Sequence, residues 1–218
     1  ERTRAPHAEG YIPRGGEPAR YMVEYEAESL TDREIARIIK SAVTPRPIAW
    51  ISTTSEDGVD NLAPFSSYNY VSSSQPVVTF HSPNEANGGL KDTARNAVDT
   101  GEFAVNVVTE PLMEAMDHTS ASLPPEESEF DLADLERADC TTIDAPRVAA
   151  APVTMECTLH DTHEVFDRLM VLGEVRHFHV SEAVITDGKV DQRKLPTVGR
   201  LGGPYYTVSE PVEFERQF

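Results

Sequence analysis

Cysteine is nearly missing: Cys140 and Cys157 are the only two in 218 residues. That excludes a disulfide framework, and their separation matches no zinc-binding cysteine pair, so both are expected to be ordinary thiols. No apolar run approaches the roughly 18–20 residues of a membrane-spanning helix, and no secretory apolar stretch opens the chain. A cytoplasmic protein is the expectation. Lysine is scarce too. Lys40, Lys91, Lys189 and Lys194 are the whole set, and arginine supplies the rest of 19 basic residues against 37 acidic ones. The resulting formal charge of −18 repels nucleic acid and anionic membrane surfaces, so neither is an expected partner. An acidic, lysine-poor surface suits solubility at high salt.

Three common chemical devices are also absent. No GxGxxG follows a strand pattern, no GxxxxGK[ST] phosphate loop occurs, and no GxSxG nucleophile elbow is present, which argues against a Rossmann dehydrogenase, a P-loop enzyme and a serine hydrolase of the elbow type. His177 and His179, two apart on a predicted strand, share a face, and His160 and His163 precede them. No thiol or carboxylate spacing completes a ligand set with these histidines, so no metal site is expected.

At this length one domain with a substantial core is the economical organisation. Residues 1–20, with Pro6, Pro13, Gly15, Gly16 and Pro18 among charges, have no apolar period and are expected to form a flexible arm, leaving a single domain over 21–218. Thr31 and Glu34 have capping-box spacing ahead of Ile35, Ile38 and Ile39, which predicts a short helix to about Ser41. Pro47 to Thr53 and Asn61 to Val71 flank Asp57-Gly58 and read as a hairpin. Further strands are predicted at Val77–His81, Phe103–Val108, Thr154–Thr162 and Leu169–Val180, with a short helix from about Leu90 to Val98 and a last hairpin over Ile185–Val190. The acidic excursion from about Thr119 to Val148 is weakly periodic, with one helical turn expected around Leu132 to Leu135. Many short strands and few helices favour a mainly β barrel.

Three segments carry candidate chemistry. Gly88-Gly89-Leu90-Lys91-Asp92-Thr93 sets two glycines before a helix start, where amides, the Lys91 ammonium and the Thr93 hydroxyl could meet a phosphate; a glycine turn with a solvated lysine is the plainer alternative. Arg46 sits between Pro45 and Pro47, so its guanidinium is delivered to one place, either an anion or solvent at a strand entry. The stretch Asn61 to Tyr68 mixes an amide, small residues and hydroxyls where packing alone would favour β-branched residues. Close approach of a planar ligand to the backbone explains that, as does an edge strand's polarity.

Taken in order, PRPIAWIST, NLAPFSSYNYVS and KDTARNAVDTGEFAVNVV, then EFDLADLE, APRV, MECTLH, LGEVRHFHV and GRLGGPYYTVSE, resemble the flavin reductase-like, FMN-binding split-barrel family over about residues 28–208. The resemblance implies an antiparallel Greek-key split β-barrel with a few peripheral helices, assembled as a homodimer with FMN near the subunit interface. It implies that Arg46, Lys91 and Thr93 hold the phosphate and that Asn61, Ala63, Ser66 and Ser67 line the ring and ribityl chain. Tyr206, with Arg200 and Tyr205, would approach the ring. The implied activity is NAD(P)H-dependent flavin reduction, with free flavin, a ferric complex or a partner oxygenase as acceptor. No catalytic side chain is demanded, because the cofactor carries the chemistry. An FMN electron carrier without NAD(P)H activity and a flavoprotein oxygenase whose 119–148 loop closes over substrate are the competing readings.

Overall fold

The computed structural model describes residues 23–215; the arm expected over 1–20 lies outside the described residues. Two compact units divide the chain, Glu1–Ile39 and Lys40–Phe218. The described part of the first holds a 3-10 turn at Ala27–Ser29 and the start of helix α1 (Asp32–Ala42). The capping box is formed: Thr31 N–H and Oγ1–H donate to Glu34 Oε2 at 2.9 and 2.7 Å, and Glu34 N–H reaches back to Thr31 Oγ1 at 3.4 Å.

The second unit carries seven main strands, β1 (Ala49–Thr54), β2 (Asp60–Phe65), β3 (Tyr68–Ser72), β4 (Val77–Pro83), β5 (Glu102–Val107), β6 (Val153–Val165) and β7 (Arg168–Val180). They form one sheet in the order β2-β1-β5-β6-β7-β4-β3, antiparallel at every step. Its two edge strands, β2 and β3, are consecutive in the chain and joined only by Ser66 and Ser67. A link that short spans about 10 Å at most. The edges are therefore drawn together, and the sheet is rolled rather than open. The single strand expected over Asn61 to Val71 is thus corrected to two strands on opposite edges: no glycine, proline or charge marks a turn at the two serines, and it is closure of the sheet that requires the break.

Both faces of β1 are buried. Inside the roll, Ala49 and Ile51 pack with Phe65, Phe80, Phe103, Val105 and Val171, and Ala94 and Ala97 of helix α2 (Asp92–Asp99) close one end. Phe80 lies tilted at 4.9 Å from Phe65 and edge-on at 5.3 Å from Phe103, measured between centroids. Gly173 makes room for this packing, since a Cβ there would lie 2.7 Å from a Phe103 ring carbon. On the outer face, Trp50 and Leu62 pack beneath Met116, Phe130 and Val148. The acidic excursion is therefore a second layer over β1 rather than a free loop. It follows α3 (Met113–His118) and contains the one-turn α4 (Glu129–Leu132), slightly earlier than the turn expected at Leu132 to Leu135.

Hydrogen bonds fasten that layer. The Trp50 indole N–H donates to Thr119 Oγ1 at 2.8 Å, and Ser52 Oγ donates to the Pro146 carbonyl. Buried Asn106 is fully used: Nδ2 donates to Trp50 O and Ser52 Oγ, and Oδ1 accepts from Val148 N–H and Thr154 Oγ1. Such satisfaction is what a buried amide requires to avoid a net cost.

Candidate functional site

Where the sheet edges meet, a cavity of about 330 Å³ opens among β2, the Ser66–Ser67 link, the start of α2, the Thr119–Leu123 segment and the facing ends of β4 and β7. That volume falls in the range of small-molecule sites. The chain reaches it through tight local geometry. Asn84 caps the 3-10 turn Glu85–Asn87 by accepting from Ala86 N–H, and Gly88 and Gly89 follow at φ of +85° and +92°. Their positive angles, easy only for glycine, swing the chain into α2. Ala94 and Arg95 N–H donate to Lys91 O at 2.9 and 3.0 Å, and the Asp92 and Thr93 amides ahead of them have no intrahelical acceptor, so the helix start offers these two donors and a partial positive charge to an anion. Lys91 stands there, and Arg95 ties the turn by donating to Asp92 Oδ1 at 2.6 Å and Leu90 O at 3.0 Å.

Asn61 is held at both ends of its amide. Its Oδ1 accepts from Thr93 Oγ1 at 2.6 Å, and its Nδ2 donates to Glu129 Oε2 at 2.8 Å. β2, α2 and the excursion are thereby locked together. Burial pushes the Glu129 carboxyl above its ordinary value, against the lowering effect of the hydrogen bonds that it accepts. Across the cavity, burial and secondarily the Arg168 cation hold His81 below the usual imidazole range. The His81 Nε2 is buried with no hydrogen-bond partner.

Six of the eight residues expected to bind cofactor line this cavity together: Asn61, Ala63, Ser66, Ser67, Lys91 and Thr93. Arg46 and Tyr206 are not among its lining. The guanidinium of Arg46 donates to Lys40 O at 2.6 Å, Val43 O at 3.1 Å and Leu201 O at 3.1 Å, so it satisfies carbonyls at and beyond the last turn of α1. Its flanking prolines do fix its direction, but toward backbone. Tyr206 is hydrogen-bonded through its hydroxyl to Arg200, whose guanidinium carbon lies 4.4 Å from the ring centroid. Three lining residues escaped sequence reasoning: His81, Glu129 and Arg168. Glu129 opens the EFDLADLE segment of the resemblance, which assigned it no role; no motif marks the other two.

The donor set suits a flavin with a phosphate. Lys91, Arg168 and the first turn of α2 supply positive charge, while Ala63, Ser66 and Ser67 leave low walls for a planar ring and His81 keeps an unused buried nitrogen. Comparison with known proteins agrees. Residues 41–195 match the family model described as flavin reductase like domain. The Bacillus subtilis (strain 168) protein YwrF is 37% identical over 194 residues, covering 85% of this chain and 94% of its own. The crystal structure of nitrilotriacetate monooxygenase component B from Bacillus cereus superposes with a TM-score of 0.85 at 31% identity, over 91% of this chain and 100% of that one. A Shewanella frigidimarina NCIMB 400 protein with a split barrel domain shares the fold with a TM-score of 0.78 at 23% identity, over 90% of this chain and 100% of that one. The chain belongs to the flavin reductase like family, flavin-related oxidoreductases built on the split barrel.

Proposed function

We propose that the cavity binds FMN and that the chain is an NAD(P)H-dependent flavin reductase. One observation carries the reading: a cationic helix start at Lys91–Thr93 and a small-residue wall at Ala63–Ser67 line one cavity. Phosphate and ring thus find opposite kinds of surface within the length of one molecule. Lys91, Arg168 and the backbone amides of Asp92 and Thr93 hold the phosphate. Asn61 keeps Thr93 in position, because the Thr93 hydroxyl donates to its Oδ1. Ala63, Ser66 and Ser67 set the plane of the ring, and His81, neutral in its buried place, offers a nitrogen to a polar edge.

When bound, FMN supplies hydride acceptance and onward electron transfer. The protein's task is to bind, orient and exclude water from one face. No side-chain nucleophile is needed. The neighbour named as component B of a monooxygenase supports a partner oxygenase as acceptor. Exposed apolar side chains at Tyr70, Val71, Val165 and Phe166, the last 94% exposed, support a homodimer that covers them.

The test is retention. Protein loaded separately with FMN, riboflavin or FAD and then freed of unbound ligand is expected to keep FMN best. Equal loss of FMN and riboflavin would remove the phosphate seat from the proposal.

A further inference from the structure

Away from the cavity, on the sheet face formed by β6 and β7, three side chains from distant parts of the chain converge. Cys140, Glu156 and His179 each present one donor atom, and the three atoms lie within 4.8 Å of one another. We propose that they form a binding site for a divalent transition metal, fitted to Zn²⁺. Glu156 on β6 stands opposite His177 on β7, beside a register shift between Val175 and His177. His179, two residues on, shares the His177 face, and its Nε2 meets the Glu156 carboxylate. Cys140 arrives on the segment whose next two residues, Thr141 and Thr142, each donate a backbone N–H to that carboxylate at 2.6 Å. The carboxylate is thus fixed before any ion arrives.

Chemistry selects the ion. A thiolate, an imidazole and a carboxylate form a mixed sulfur, nitrogen and oxygen set that suits Zn²⁺ or Co²⁺ and not Mg²⁺ or Ca²⁺. Thiolate and carboxylate together neutralise a dication, which removes the main objection to placing one beside a buried group. Tetrahedral zinc separates its ligand atoms by roughly 3.5 Å, so the ion parts His179 Nε2 from the Glu156 oxygen that it touches and draws the loop that bears Cys140 inward by about an ångström. The fully buried Glu156 forms the floor, while the His179 side chain is 24% exposed and gives the ion a way in. The fourth position falls to water or to His177, whose ring centroid is 4.9 Å from that of His179. Ion binding releases the Cys140 thiol proton to solvent, and the His179 Nε2 proton that faces Glu156 passes to Nδ1 or to solvent.

The test uses the full chain after chelation and dialysis. Titration with ZnCl₂ in a calorimeter is expected to give one equivalent bound per chain, and CoCl₂ a thiolate-to-cobalt charge-transfer band. Cys140→Ser, nearly isosteric, is expected to lose the band and to weaken zinc by about a hundredfold or more, since losing even a residue that only supports a ligand costs about 10–100-fold. His163→Ala, on an exposed side chain, is expected to bind as the parent does. Zinc should also raise the thermal midpoint of the parent and not of folded Cys140→Ser. No stoichiometric uptake by the parent, or uptake and band unchanged in Cys140→Ser, would overturn the site and leave the cluster as a clamp on its loop.

Discussion

Glu129 and Asn61 join the chain's longest excursion to the strand that lines the cavity: one oxygen of Glu129 accepts from Asn61 Nδ2 at 2.8 Å and also from the Leu62 backbone N–H at 3.0 Å. Because Asn61 in turn accepts from Thr93, the carboxylate sets the orientation of the amide that holds the proposed phosphate ligand.

Glu129→Ala leaves two buried donors without an acceptor, each worth about 1–3 kcal/mol. The expected result is a lower thermal midpoint, by roughly 2–4 °C per kcal/mol lost, together with weaker FMN binding. Glu129→Gln keeps an acceptor oxygen and most of both properties. Calorimetric unfolding and flavin fluorescence quenching on the two variants check this.

The same residue imposes a pH dependence. Burial lifts its pKa above the ordinary 4.5, so the folded chain holds the proton more tightly than the unfolded chain. Its contribution is therefore most favourable below 4.5 and is lost as pH rises through the folded value. Urea unfolding of the parent and of Glu129→Gln across that interval should show the variant lacking this downward slope. Parallel profiles would contradict it.

Lys91→Ala and Arg168→Ala each remove a cation facing the proposed phosphate. A charge-assisted hydrogen bond is worth about 1.5–3 kcal/mol, so each variant should bind FMN roughly 10–100-fold more weakly. Riboflavin, lacking the phosphate, should bind nearly as before. Dissociation constants for both ligands decide the matter, and Arg46→Ala, whose guanidinium serves backbone carbonyls, should lower stability before it alters that ratio.

Thr119→Val tests the seam between β1 and the outer layer. The Trp50 indole N–H has Thr119 Oγ1 as its acceptor, and Thr119 itself donates to Met116 O at 2.8 Å. The isosteric change strands a buried donor and should cost about 1–3 kcal/mol. Denaturant titration followed by Trp50 fluorescence reads it directly.

Much of the fold was legible because its signals are local. The capping box at Thr31 and the Asp57-Gly58 turn act within a few residues, and strand alternation does the same. What was not legible arises from closure. Ser66–Ser67 holds no glycine, proline or charge that would mark a turn, yet it is where a rolled sheet must change edges. Arg168 and His81 enter the cavity only because β7 and β4 are brought opposite β2 and α2, and nothing in their neighbours marks that. Arg46 shows the converse: two prolines declare that a guanidinium has a fixed destination, but the three carbonyls that receive it are a tertiary fact. No metal set was expected because no thiol or carboxylate spacing completes one with the histidines, and spacing along the chain does not show that Cys140, Glu156 and His179 meet.

The central claim is that this cavity holds FMN for reduction by a nicotinamide. The most direct test is the visible spectrum of FMN-loaded protein, freed of unbound flavin and titrated without oxygen with NADH and then NADPH. Bleaching of retained flavin bands by about one equivalent of either donor is the predicted result and names the donor. Retained bands that neither donor bleaches would contradict the reductase and favour an electron carrier or oxygenase on the same fold.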